Sequence, residues 1–317
     1  LTSVECCLLI DEAAVTIVAG NIRRSAGMRQ FASADTAAAG AKENLWQQDS
    51  DGNWRIDPER DALRMANHTR VFHTRPSLEV VQEAVTKQFH SGEGAIQFAP
   101  EAIARSNADL LTTAELRQEF QEIYCEQGRQ EAGRWLQLNH PEITEAELEH
   151  RLGRYGLNPC GEILGADFHC NLAEVHLNRL DPDDLEGQRD AFRAAGLSVA
   201  CLLNHRFEVE RYRQSRAWDP IVGVSFTGLF DFFVHAFGTP WLEWWAAGRP
   251  ETAEGLAFKE QEAAYLSRWK TTVNEAVWDY CDRHGLRRPN RCTTVQPAGT
   301  KSLLTGAAPG WHPPKPS

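Results

Sequence analysis

The rhythm of apolar and polar positions changes several times along the chain, and each change marks an element. Residues 4–19, VECCLLIDEAAVTIVA, are apolar enough for a buried helix, with Gly20 placed to end it. Residues 78–90, LEVVQEAVTKQFH, space their apolar side chains by three and four and predict an amphipathic helix. SGEGAIQF then reads as a glycine turn into a short buried strand. Residues 112–154 are mostly polar. They predict two solvent-facing helices, TTAELRQEFQEIYCEQGRQEAGRWLQ and TEAELEHRLGR, as a peripheral excursion, and Thr112 or Thr113 before Glu115 gives the first a capping pattern. Long helices are predicted over 185–204 and 252–285. The apolar stretch 221–237, IVGVSFTGLFDFFVHAF, reads as a turn followed by a helix. Residues 40–57 are turn-rich and polar. The closing RCTTVQPAGTKSLLTGAAPGWHPP reads as strand, glycine-rich loop, short helix and turn. Strands and helices mixed in this order favour an α/β class.

Composition narrows the picture. A hydrophobic fraction of 42% and a charged fraction of 24% suit a soluble globular protein with a sizeable core. The formal net charge of -11 argues against broad nucleic-acid binding, which needs a basic surface, but leaves room for a small phosphorylated ligand. No apolar run is long enough to predict a membrane span, and no secretory leader pattern opens the chain. Eight scattered cysteines without a CxxC suit a reducing cytoplasm, and no metal site is expected. The opening at Leu1 and the stop at PPKPS suggest a fragment of a longer protein.

Four segments carry chemistry. In NPCGE, Asn158, Cys160 and Glu162 alternate, so in an extended loop all three meet one ligand; Pro159 stiffens the approach and Gly161 permits close contact. A carboxylate and an amide beside a thiol disfavour the thiolate, so Cys160 suits hydrogen-atom chemistry through a neutral S–H, with Glu162 as base. Taken alone, the motif reads equally well as a buried cysteine in a tight turn. Cys170, ten residues on in FHCNLAEV, fits redox exchange, though by itself it reads more simply as a packed strand residue. In PAGTKS, residues Pro297, Ala298, Gly299, Thr300, Lys301 and Ser302 place small residues, hydroxyls and a cation before SLL, as an anion-binding helix start or a plain turn. In GNIRRSA, residues Gly20, Asn21, Arg23, Arg24 and Ser25 offer paired arginines beside a glycine turn, for a phosphate, a base or merely a helix end.

The serial order GNIRRSA, NPCGEI, CNLAEV and QPAGTKSLLTG…PGWHP resembles the catalytic chain of ribonucleotide reductases, most closely the adenosylcobalamin-dependent class, from about residue 1 to the end. The resemblance implies part of a ten-stranded α/β barrel spanning 1–317, with a finger loop through its centre. It implies that Cys160 carries a transient thiyl radical that takes the ribose 3′ hydrogen. Glu162 acts as general base on the 3′-OH, Asn158 hydrogen-bonds the ribose, and Cys170 is one of two reducing cysteines. PAGTKS cradles the substrate phosphates, and GNIRRSA is the specificity loop through which a deoxynucleotide effector tunes base choice. The implied cofactor is adenosylcobalamin. The implied partners are a ribonucleoside tri- or diphosphate and thioredoxin or a similar dithiol. Cys6 and Cys7 do not match the second reducing cysteine, which the resemblance places upstream. Two alternatives stay open: the catalytic chain of the two-subunit class, and an inactive nucleotide-binding fragment.

Overall fold

The computed structural model describes residues 1–18, 27–91 and 94–314. They form two compact units, Leu1–Ala166 and Asp167–Ser317.

In the first unit, helix α1 (Ser3–Val18) forms where the apolar run predicts it, but it is not buried all round. Cys7, with Val4 and Leu8, packs against Ala41 and Leu63, while Leu9 and Ile10 face outward. Inside this interface Asp11 is fully buried and pairs with Arg29. A three-stranded parallel sheet, in the order β1 (Gly27–Ala32), β4 (Ala66–Phe72), β5 (Ala95–Phe98), is the centre of the unit. Between β1 and β4 lie the short helix α2 (Thr36–Gly40) and an antiparallel hairpin, β2 (Trp46–Gln48) with β3 (Trp54–Ile56). That hairpin occupies the segment expected to be only turn-rich. Helix α3 (Leu78–Ser91) forms as its periodicity requires and leads into β5, which is half-buried.

Strand pairing fixes two faces of this sheet. Met28 pairs with Asn67, Gln30 with Thr69, and Val71 with Gln97, so these residues share one face. Phe31, His68 and Arg70 lie on the other, where Ala39 beside them and Thr86 and Lys87 of α3 help enclose a cavity of 470 Å³.

Helices α4 (Ala99–Ser106), α5 (Ala114–Gln127), α6 (Arg129–Asn139) and α7 (Glu145–Leu152) follow. The long polar helix expected from residue 112 is therefore two helices. Gly128 separates them at φ +94°, a conformation that side chains with a Cβ disfavour. Nor do these helices only face solvent. Ile103, Phe120, Tyr124, Leu136, Leu148 and Leu152 form a core of their own. Beneath it, buried Arg151 is held by Asp109 at 2.9 Å and by Glu147 at 2.9 Å, and the Asn107 side-chain Oδ1 accepts from both Arg151 and Arg154. Four charge-assisted contacts satisfy two arginines that would otherwise be costly to bury. They fix the chain direction just before Tyr155.

The second unit pairs β8 (Cys170–His176) in parallel with β9 (Ile221–Thr227), with α8 (Leu185–Ala200) and α9 (Glu210–Trp218) between them. Residues 221–227 are thus a strand and not a turn. Gly228, at φ +73°, ends it and opens α10 (Leu229–Ala246), which breaks at Gly238 before Pro240. Helix α11 (Ala253–Arg283) packs on α8. The core is aromatic. Trp269 stacks on Phe192 at 5.1 Å and meets Phe232 edge-on at 5.1 Å, and its indole N–H donates to Gln188 at 3.0 Å.

Candidate active site

Strands β6 (Gly156–Leu157) and β7 (Leu164–Gly165) form a two-stranded antiparallel hairpin, with NPCGEI as its tip. Gly156 is required there, because a Cβ would lie 2.6 Å from the Gly165 carbonyl oxygen. The tip is a closed turn, not the extended loop that alternation implied. The Gly161 N–H donates to the Asn158 carbonyl at 2.9 Å, with Gly161 at φ +74°. The turn still brings the expected side chains together. The Asn158 amide donates to the Glu162 carboxylate at 2.6 Å and accepts from the Ile163 N–H at 3.0 Å. Cys160 is exposed at the apex and lines a cavity of 280 Å³ with Met28, Asn67, Thr69 and Ala95. The thiol thus borders a small opening, while the Asn158 carboxamide and the Glu162 carboxylate pair with each other within the same turn.

Polar side chains from the sheet hold this hairpin in place. Gln30 and Gln97 both donate to the Tyr155 carbonyl, at 3.0 and 2.9 Å, and Gln30 donates to Gln97 at 2.6 Å. The Gln30 carbonyl oxygen accepts from the Leu157 N–H at 2.9 Å. Nearer the apex, Asn67 donates to the Pro159 carbonyl at 2.6 Å. Sequence reasoning missed all three residues. The available signal was a polar carboxamide at one position in each of three short strands, where apolar residues usually sit.

Within the second unit, Cys170 is half-buried at the first position of β8, paired with Ile221. Cys281 and Cys292 are buried, and burial pushes their thiols up to about 11 and about 12, which makes them unreactive. The Pro297–Ser302 loop leads into a single 3-10 turn, Lys301–Leu304, instead of a longer helix. Lys301 reaches Gln296 and, at 3.4 Å, Glu174. Ser302 donates its N–H to Ala298, which holds φ +54°. Anchors lie on either side. The Ser225 hydroxyl accepts from the Gln296 N–H at 2.8 Å, and Asp231 accepts from the Ala308 N–H at 2.7 Å. The predicted specificity loop, Gly20, Asn21, Arg23, Arg24 and Ser25, lies outside the described residues. Among the described residues, no three His, Cys, Asp or Glu side chains cluster to hold a metal ion, and no helix is long and apolar enough to cross a membrane.

No family model matches the chain. A curated relative from Levilactobacillus brevis, an adenosylcobalamin-dependent ribonucleoside-triphosphate reductase, is 26% identical over 321 residues, covering 98% of this chain and 36% of the relative. The chain is similar to adenosylcobalamin-dependent ribonucleotide reductases. A reductase of the same name from Lacticaseibacillus paracasei is 27% identical over 194 residues, covering 54% of this chain and 25% of that relative. A solved B-12 dependent (class II) ribonucleotide reductase matches 98% of this chain and 37% of that chain, with a TM-score of 0.61 at 19% identity, so the α/β fold is shared. The resemblance drawn from the four motifs therefore holds. The chain spans about a third of the length of the first of these reductases.

Proposed function

We propose that this chain carries catalytic residues of an adenosylcobalamin-dependent ribonucleotide reductase, which converts ribonucleoside tri- or diphosphates to 2′-deoxyribonucleotides. The observation that supports it most is the hairpin tip, where exposed Cys160 tops a turn that joins Asn158 to Glu162. In this reading β1, β4 and β5 are part of the barrel wall and the β6–β7 hairpin is the finger loop.

Adenosylcobalamin brings its cobalt in its own ring, so no metal-ligating cluster is required of this chain, and exposed Cys160 would be the residue that meets the cofactor. Were it bound, the cofactor would supply the hydrogen-atom acceptor that lets the Cys160 thiol become a thiyl radical. Cys160 then takes the hydrogen atom from ribose C3′. Glu162 accepts the 3′-OH proton, and Asn158 holds Glu162 in place and hydrogen-bonds the sugar. The 2′-OH leaves as water. Two thiols supply two electrons and two protons and end as a disulfide; Cys170 is one of them. Cys160 finally returns its hydrogen atom to C3′ and is a thiyl again. The Pro297–Ser302 loop holds the phosphates through the N–H groups that open its 3-10 turn and through Thr300, Lys301 and Ser302. Gly20, Asn21, Arg23, Arg24 and Ser25 respond to a deoxynucleotide effector. Thioredoxin or another dithiol restores the reducing pair, and the reaction proceeds in the cytoplasm.

The test uses the full open reading frame. Deoxyribonucleotide formation from CTP or CDP is assayed with adenosylcobalamin and a dithiol, for the parent and for Cys160→Ala. We expect turnover that needs the cofactor and falls by at least about 10³-fold in the variant. Turnover that survives Cys160→Ala overturns the assignment. Turnover that needs a second protein subunit in place of the cofactor moves the chain to the two-subunit class.

A further inference from the structure

The second unit contains a basic cavity that the proposed reaction does not use. It has a volume of 600 Å³ and lies where the 3-10 turn after α8, helix α9 and the end of α11 meet. Arg206, Arg213, Arg216 and Arg287 line it, with His205 and Asn204, and no carboxylate is among its lining residues. In a chain of net charge -11, four guanidinium groups around one opening are a local reversal of the overall field.

The four arginines are not equivalent. Arg213 pairs with Glu210, outside the lining. Arg287 donates to the Ala217 carbonyl at 3.4 Å, which ties the end of α11 to α9. Arg216 lies over the Phe207 ring at 4.3 Å and donates to the Leu202 carbonyl at 3.4 Å. Burial pushes the Arg216 guanidinium below its ordinary value, whereas the hydrogen bonds that Arg211 and Arg288 donate to Asp167 and Asp282 push those two above theirs. Arg216 is thus a partly desolvated cation held over an aromatic ring. The imidazole of His205, 4.9 Å from Phe207, extends this surface at the cavity wall.

We propose that this cavity binds the phosphate chain of a nucleoside triphosphate. Guanidinium forks match phosphate oxygens in pairs, and a guanidinium held over a ring and tied to a carbonyl has less freedom to lose on binding. The volume lies within the range of pockets that hold small organic ligands, roughly 300–1,000 Å³. Four cations around one opening, one of them already paired with Glu210, suit a polyanionic triphosphate chain better than a single phosphate. The inference does not depend on Cys160 chemistry, and its test needs no turnover.

The experiment is arginine footprinting of the unaltered full-length protein. Phenylglyoxal modification is mapped by peptide mass, with and without inorganic tripolyphosphate, and then with ATP. Expected is protection of Arg206, Arg213, Arg216 and Arg287, with exposed Arg189 modified equally throughout. ATP protecting at lower concentration than tripolyphosphate supports a contact to the nucleoside. In the double variant Arg206→Gln/Arg216→Gln, half-protection of Arg213 and Arg287 needs at least about tenfold more ligand. Equal modification with and without both ligands overturns the proposal. So does protection by polyglutamate but not by either phosphate, which assigns the cavity to an acidic protein surface.

Discussion

The Cys160 hairpin and the Pro297–Ser302 loop are both short, glycine-containing turns, yet they are held by different means. The hairpin rests on three carboxamide side chains, Gln30, Gln97 and Asn67, that rise from the face of a sheet. The loop's flanks are held by hydroxyl and carboxylate side chains and by direct backbone pairs, with the Gly228 N–H donating to the Ala308 carbonyl at 2.9 Å and the Leu229 N–H to the Gly310 carbonyl at 3.2 Å. The Thr227 hydroxyl accepts from the Gly310 N–H at 3.0 Å and donates to the Ala308 carbonyl at 3.1 Å, and Gly310 sits where a Cβ would meet the Gln296 carbonyl oxygen at 2.8 Å. Behind it stands a core of stacked aromatic rings. Side-chain anchoring lets the tip present a thiol, a carboxylate and an amide at an open end. Anchoring at both flanks fixes the course of the loop backbone between Gln296 and Ala308, whatever side chains the loop carries.

The comparison can be broken at its foundations first. Trp269→Ala removes the ring shared by Phe192 and Phe232 and leaves Gln188 without its donor. We expect a loss of about 3–5 kcal/mol in denaturant unfolding monitored at the second unit. A loss below about 1 kcal/mol would show that the aromatic core is not what supports the loop.

The hairpin should respond differently. Gln30→Ala with Gln97→Ala leaves the Tyr155 carbonyl without both donors, a cost of about 1–3 kcal/mol. Far-UV circular dichroism should hardly change, while kcat of the full reading frame falls at least about tenfold. Unchanged kcat would mean that the tip does not depend on its base.

Alkaline pH sharpens the contrast between buried and presented thiols. Cys292 ionises near 9.0 in the unfolded chain and only near about 12 when folded. The unfolded state therefore loses this proton first, and stability that is full below pH 9 declines as pH rises above it. Cys292→Ala should flatten the fall of Tm above pH 9; an identical slope in both proteins would refute the assignment. The smallest perturbation is labelling. At pH 7.5, iodoacetamide should modify Cys160 while Cys281 and Cys292 stay unmodified until denaturant is added. Equal rates at all three would erase the distinction.

Much of the site was legible in sequence because its residues are contiguous. Asn158, Cys160 and Glu162 meet within one turn, so order along the chain is enough to bring them together. The helices at 78–90, 185–204 and 252–285 were legible from periodicity and length. What escaped depends on pairing across long separations. Residues 221–227 are apolar at nearly every position because β9 is buried on both faces, and its pattern does not separate from the apolar helix after Gly228. Strands β1 and β4 carry Arg29, His68 and Arg70 on the face away from the hairpin, which hides their alternation. The three carboxamides are visible as anchors only once the sheet places them beside residues 58 to 127 positions away.

One carbonyl has a bearing on assembly order. The Tyr155 oxygen accepts from Gln30 on β1 and from Gln97 on β5, strands that are not neighbours but flank β4. A slip of one residue by either strand turns its glutamine to the opposite face. The seat of the hairpin thus exists only after all three strands have aligned, and it serves as a proofreading gauge. A chain with a misregistered sheet cannot dock the hairpin that carries Cys160, so that tip is seated last.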